Sequence, residues 1–502
     1  MENSSFQDKV KGAWIGKCLA GAIGMYFEGV PFTVDLREED ISLAQVPNDD
    51  LELQLVWLEA LEKNGLALTC RDLGEIWLKR IPHGCDEYSI ALYNMKHNIM
   101  PPASGYVNNF FADGMGAAIR SEIWALIFAG RPDAAAHFAR CDAEVDHFGD
   151  GVLGECFMAM AESAAAATGN IEESLRFAWE KTDHNSRLYR TLQKIFAMYD
   201  QGVSDSDARK EILITIQNHF NFTDCVMNLA FIVNSLLRGK GDFIKTVLDV
   251  ISFGRDTDCT AASCGAFLGA AMGVQVIPQK YLAMVSDEII VSDFVSAIPG
   301  VPLSITALTE KTIALHDHFA TLLPKEEYPP YIADAAALEH PDLYTARFLI
   351  LPDDAEDIGG LQKTLMETGV VPEELKKYIK TFNTPYMDLS DHAGPVRLHL
   401  FTFLEVNNTT LPEEDSVFMA TADSGLRVHL GKRMLLNNHS RHRMLPAFHR
   451  TQGGAAFSLP LKKKSRQLLH LELFYTSKPL RACVMIGNCF NDPEDGFDFN
   501  IS

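Results

Sequence analysis

The stretch Phe253-Gly254-Arg255-Asp256-Thr257-Asp258-Cys259 sets two carboxylates two residues apart, just after a glycine and ahead of a run of small residues that reaches Gly273. A second acid pair, in Asn48-Asp49-Asp50, lies far upstream at the head of another apolar segment. Adjacent acids pack poorly unless a cation or a substrate sits between them, and hard cations such as Mg²⁺ select carboxylate, carbonyl and water oxygens. Each pair taken alone reads as a helix N-cap, because Asn and Asp accept hydrogen bonds from first-turn N–H groups and suit the helix dipole. Taken together, each beside a helix of small residues, they favour an oxygen-lined metal site closed by folding.

Three further constellations could carry chemistry. Glu28 follows Gly24-Met25-Tyr26-Phe27, which sets a carboxylate after an apolar aromatic pair; a solvated loop acid is the plainer alternative. Asp113-Gly114-Met115-Gly116-Ala117-Ala118-Ile119-Arg120 reads as a glycine-containing turn opening a helix, where exposed N–H groups hold a phosphate or a ribose hydroxyl. His147, in Asp146-His147-Phe148-Gly149-Asp150, has a structural role as its default reading.

The elements that position these residues come in two kinds. To about residue 325 apolar residues recur at helical spacing, as in Leu51, Leu55, Leu58 and Leu61. Gly12, Gly16, Ala20 and Gly24 form a four-residue stripe, and so do Ala261, Gly265, Gly269 and Gly273. Glycine costs helix propensity, about 1 kcal/mol relative to alanine, so the stripes point to two helices in close contact at the centre of a bundle. After a proline- and acid-containing stretch at 351–357, short period-two runs follow at 396–405, 416–420, 427–430, 467–475 and 480–486, the pattern of an antiparallel β-sandwich. The expected division is a helical domain over 1–330, a junction over 331–390 and a smaller β-sandwich over 391–502.

Composition narrows the partners. The 502 residues carry a net charge of −23, which argues against nucleic acid and against an anionic membrane surface. Residues 259–277 are uncharged, but their Ala, Gly, Ser and Cys content marks a buried helix and not a membrane span. The first residues lack the basic and apolar regions of a secretory leader, and the 10 cysteines show no CxxC spacing; a cytoplasmic location with reduced thiols is expected.

The Gly-rich first helix ending in Glu28, the pair Asp49-Asp50, Gly114 to Arg120 and Gly254-Arg255-Asp256-Thr257-Asp258 together resemble the ADP-ribosylglycohydrolase family over roughly residues 8–320. The resemblance implies an all-helical fold around a dinuclear Mg²⁺ site. Its ligands would be Asn48, Asp49, Asp50, Asp256, Asp258 and Cys259, with Glu28 and Asp258 as catalytic carboxylates. Substrate would meet Asp113, Gly114, Met115, Gly116, Ala117 and His147. Asn48 and Cys259 stand where Ser or Thr is usual, and Leu51 where Thr is common, which bears on the metal count. The implied activity is Mg²⁺-dependent hydrolysis of an N- or O-glycosidic bond in an ADP-ribosyl or related ribosyl compound, with a small molecule or an ADP-ribosylated substrate as partner. A nucleoside or other glycoside hydrolase on the same site is one alternative, and a non-catalytic crystallin-like relative is another. A homodimer stays open. The C-terminal region resembles galactose-binding-like jelly rolls at 423–430 and 446–450.

Overall fold

The computed structural model describes the chain apart from residues 1–3, 44–46, 218–220, 335–337, 354–356, 395–396, 441, 449–453 and 475. The chain forms two compact units: Met1–Pro82, Met100–Tyr106 and Phe111–Leu338 make the first, and His83–Ile99, Val107–Phe110 and Glu339–Ser502 the second.

The first unit is helical. Five of its helices build or back the site, labelled here in chain order: α1 (Phe6–Gly24), α2 (Asp49–Asn64), α3 (Ser121–Ile127), α4 (Asp150–Thr168) and α5 (Thr257–Met272), with α4 packed on α3 and α5. Ser5 caps α1 by accepting the Asp8 N–H at 3.1 Å. Both α1 and α5 are buried on nearly every face, which places them in the interior. Their stripes face each other. A Cβ on Gly16 would overlap the carbonyl of Gly265, one on Gly269 would overlap Gly12, and one on Gly24 would overlap the carbonyl of Thr257. The backbones therefore touch along the crossing. The uncharged segment is this buried helix, and among the described residues no helix is long and apolar enough to cross a membrane.

The second unit is a β-sandwich. Its strands are β1 (Ala346–Pro352), β2 (Ile379–Phe382), β3 (Tyr386–Asp388), β4 (Leu398–Val406), β5 (Val417–Ala422), β6 (Gly425–Leu430), β7 (Arg433–Asn438), β8 (Ala455–Ser458), β9 (Ser465–Phe474), β10 (Arg481–Gly487) and β11 (Phe497–Asn500). One sheet has the order β2-β1-β11-β4-β9-β6-β7 and the other β3-β10-β5-β8. Pairing is antiparallel except between β1 and β11. Phe348, Leu400, Phe418, Val428, Leu471 and Val484 fill one apolar core of the unit. Helix Ile358–Thr368 lays Leu361 and Leu365 against Phe401 and Leu468 in a second core.

The expected mainly helical fold with a smaller β-sandwich is observed, and the boundaries need correction. Strands begin at Ala346, so the presumed junction over 331–390 contributes β1, β2, β3 and helix Ile358–Thr368. Helix Asp86–Lys96 also belongs to the second unit. The β-rich unit is therefore not a detachable C-terminal segment. Of the positions read in the sequence, residues 354–356, Val396, His449, Arg450 and Tyr475 lie outside the described residues.

Gly16→Ala and Gly265→Ala should each lower the midpoint of thermal unfolding, because overpacking a close contact costs about 1–3 kcal/mol. Gly394→Ala is the control, since its added methyl meets nothing within 4 Å. Equal midpoints for all three in differential scanning calorimetry would contradict the packed crossing.

Candidate metal centre and active site

The centre is assembled by a turn that needs an unusual backbone. Gly254 and Arg255 both have positive φ, 71° and 70°, and a Cβ at Gly254 would overlap the carbonyl of Phe32, so only glycine fits there. The turn pairs with the loop after α1: Gly29 N–H donates to Arg255 O at 2.8 Å, and Arg255 N–H donates to Val30 O at 2.8 Å. Glu28 is thereby held beside the start of α5. Thr257 Oγ1 donates to Gly24 O at 2.8 Å, tying the end of α1 to the same point. The first turn of α2 arrives at Gly21. A Cβ there would lie 3.2 Å from Asn48 Nδ2, 3.3 Å from Ala262 Cβ and 3.9 Å from Asp258 O.

Three helices thus bring together acids as far apart in the chain as Asp50 and Asp256. Asp50, Asp256 and Asp258 are buried, Glu28 is half-buried and Asp49 is exposed. One oxygen each from Asp256 and Asp258 and the Cys259 sulfur lie within 4.8 Å of one another. Burial and the Asp258 and Glu28 charges push the Asp256 carboxyl well above the usual carboxylate range. Burial, opposed by Lys17 and reinforced by Asp258 and Asp49, does the same to Asp50. Asp258 is pushed up to about 7 by burial, Glu28 and Asp49. Both carboxylate oxygens of Asp50 and Oδ1 of Asp258 are buried and receive no hydrogen bond. Buried carboxylates without donors are costly, and a divalent cation supplies what they lack. The donor set is therefore of the kind that a hard cation fits.

The remaining candidates fall into three groups. Asn48 caps α2: its Oδ1 accepts the Asp50 N–H at 2.7 Å. Burial beside the acids pushes the Cys259 thiol up, and its sulfur belongs to the same close group as the Asp256 and Asp258 oxygens. The turn at Gly114, Met115, Gly116 and Ala117 is buried, and the Gly114 N–H is spent on Phe111 O at 2.7 Å, so the expected exposed cradle does not form at Gly114. Asp113 pairs with Arg187 at 3.2 Å, and Arg187 also donates to Asp224 at 3.0 Å. His147 is fully buried with Nδ1 2.8 Å from Asp146 Oδ1. It belongs to a scaffold in which the buried Arg120 spans Asp142 and Asp146 and donates to Gly116 O at 2.9 Å. The scaffold fixes the turn from behind.

Sequence reading missed Lys17, the lone charge between Gly12 and Met25. That isolation inside a small-residue helix was the available signal. Its Nζ donates to Glu122 Oε1 at 3.0 Å and to Ile119 O at 2.9 Å. Gln54 Nε2 donates to the other Glu122 oxygen at 2.8 Å and to Asp50 O at 2.7 Å. Lys17 and Asp50 also line one cavity of about 340 Å³ between α1, the start of α2 and residues 284–290.

The ADP-ribosylglycohydrolase family profile matches residues 2–314, more than half of the chain. The chain belongs to the ADP-ribosylglycohydrolase family. An uncharacterized protein of Archaeoglobus fulgidus is 26% identical over 199 residues, a region covering 40% of this chain and 62% of that relative. Among solved structures, an "ADP-ribosylglycohydrolase-related protein complex" aligns at TM-score 0.43 and 18% identity, over 62% of this chain and 98% of the other. A β-glucosidase from Kluyveromyces marxianus in complex with glucose aligns at TM-score 0.16 and 15% identity, over 23% of this chain and 15% of the other.

The raised carboxyls make a pH prediction. A carboxyl raised on folding contributes stability below its unfolded value, and that contribution is lost as pH rises through the folded value, about 7 for Asp258. The metal-free protein should lose thermal stability as pH rises from about 4 to about 7, and an added divalent cation should restore more of it at the higher pH. Asp258→Asn should flatten both effects in scanning fluorimetry. A wild-type profile that matches the variant would contradict the assignment.

Proposed function

We propose that the chain is an Mg²⁺-dependent hydrolase that cleaves the N- or O-glycosidic bond of an ADP-ribosyl or related ribosyl compound. The observation that carries this reading is the set of buried carboxylate oxygens without donors at the junction of α1, α2 and α5. Asp50, Asp256 and Asp258 would hold the cation, with Asp49 at the exposed edge. When bound, Mg²⁺ orients ribose hydroxyls and lowers the pKa of a water ligand.

The protein's own groups do the rest. Glu28 is half-buried and tied through Gly29 to Arg255, so its carboxylate stands at the edge of the cluster and serves as the general base for the attacking water. Asp258 is the second carboxylate of the pair, but its burial suits it to ligation. The Asn48 cap fixes the first turn of α2, which carries Asp50. Breaking the ribosyl bond builds positive charge on the sugar, and the surrounding carboxylates stabilise that charge.

Hydrolysis of ADP-ribosyl-arginine, ADP-ribosyl-serine, ADP-ribose polymers and free nucleosides with and without Mg²⁺ tests the reading; no Mg²⁺-dependent turnover of any of them would reject it. Asp256→Asn should abolish Mg²⁺-dependent turnover. Glu28→Gln should lower kcat by ~10²–10⁴-fold with little change in Mg²⁺ affinity by calorimetry. A collapse of affinity in that variant would make Glu28 a ligand and not the base.

A further inference from the structure

We infer that Arg255 is the specificity-determining residue of the centre: its guanidinium receives a phosphate on the 5-position of the ribosyl substrate. The preferred substrate is then a ribosyl phosphate or diphosphate ester and not an uncharged nucleoside. This rests on the hydrolase reading above and adds the class of substrate. Arg255 directly precedes Asp256. Its main chain is bonded in both directions to Gly29 and Val30, the two residues after Glu28. It therefore stands between a proposed cation ligand and the proposed base. A ribose held at the cation carries its 5-position one sugar ring away from the anomeric carbon, on the scale of an arginine side chain that starts beside the ligand.

The charge of Arg255 is unspent. Around the centre Lys17 pairs with Glu122, Arg120 with Asp142 and Asp146, and Arg187 with Asp224. Arg255 is half-buried. Its Nη2 donates to Gln217 O at 2.9 Å, its Nε is buried without an acceptor, and no carboxylate among the described residues pairs with it. A partly desolvated cation without an anion is costly, and a guanidinium with free N–H groups matches the oxygens of a phosphate. The backbone points the same way. Arg255 has a φ of 70°, which long side chains seldom adopt and glycine or asparagine takes with little strain. Strained positions of this kind concentrate at ligand-binding sites. Arg209 adds a second guanidinium to the same turn: it donates to Ser252 O at 2.5 Å, and Asp249 Oδ1 stands off at 3.9 Å, beyond hydrogen-bond distance. In a chain of net charge −23 this is a local excess of positive charge beside the acids. The Gly114 N–H, spent on Phe111 O, does not hold the phosphate in its place.

The test uses the full chain with Mg²⁺ and two substrates that share a leaving group, 4-nitrophenyl riboside and its 5-phosphate. Wild type should prefer the phosphate by about ten-fold or more in kcat/KM, the scale of one charge-assisted contact, and added salt should shrink the preference. Arg255→Asn removes the charge at a position whose φ suits asparagine. The preference should fall toward unity in that variant, chiefly through KM for the phosphate. Arg255→Lys keeps a charge but loses the planar fork and should restore part of the preference. A wild type without the preference, or an Asn variant that keeps it, would overturn the inference. If wild type hydrolyses neither compound, the hydrolase reading fails, and calorimetry with ribose 5-phosphate and ribose on the Mg²⁺-loaded protein tests the anion site alone. Tighter binding of ribose 5-phosphate than of ribose, lost in Arg255→Asn, supports the site. Equal binding of the two, no binding of either, or a difference that the variant keeps overturns it.

Discussion

The contact between α1 and α5 is the constraint on which the centre depends. Gly12, Gly16 and Gly24 meet Gly269, Gly265 and Thr257 with no room for a Cβ. Each glycine costs helix propensity, and the return is two backbones close enough for a side-chain hydroxyl of one helix to reach a main-chain carbonyl of the other, as Thr257 does at Gly24. That approach fixes where α1 ends and where α5 begins. Glu28 and Asp256 extend from those two ends, so their separation is set by rigid backbone and not by flexible side chains. A wider crossing would carry Glu28 away from the acids it must join.

Concentrating carboxylates in the interior creates a charge problem that the fold answers at two distances. At the centre the acids lack donors, and the chemistry of the set calls for a cation. One layer away the protein supplies its own: Lys17 between Glu122 and the Asp50 side of the cluster, and Arg120 between Asp142 and Asp146. These buried pairs are weak sources of stability because desolvation consumes most of the attraction. Their geometric effect is clearer. Gln54 links Glu122 to the Asp50 carbonyl, and Arg120 holds Gly116. Every acid named here lies in the first unit.

Much of this was legible in the chain itself. The four-residue glycine stripes give helical faces that can only be explained by close approach, and the period-two runs at 427–430 and 480–486 became β6 and β10. Strands β1, β2 and β3 were not legible: β1 is a nearly continuous apolar run, buried on both faces between the sandwich core and helix Ile358–Thr368, so alternation is absent. The assignment of helix Asp86–Lys96 to the second unit was equally hidden, because chain order says nothing about which core a helix joins.

The sequence by itself determined the residue types of the site, since two acid pairs, a glycine turn and two small-residue helices are local facts with local physical meaning. Tertiary structure decided their surroundings. Asn48 and Cys259 read as ligands by position; folding gives the Asn48 Oδ1 the Asp50 N–H and brings the Cys259 sulfur beside Asp256 and Asp258 with its thiol pushed up by burial. His147 and the Gly114 turn read as substrate contacts, and the Arg120 ion pairs hold them in a buried scaffold. Burial, charge and hydrogen-bond partners depend on what folding brings alongside a residue, and neighbours as distant in the chain as Asp50 and Asp256 cannot be read from spacing.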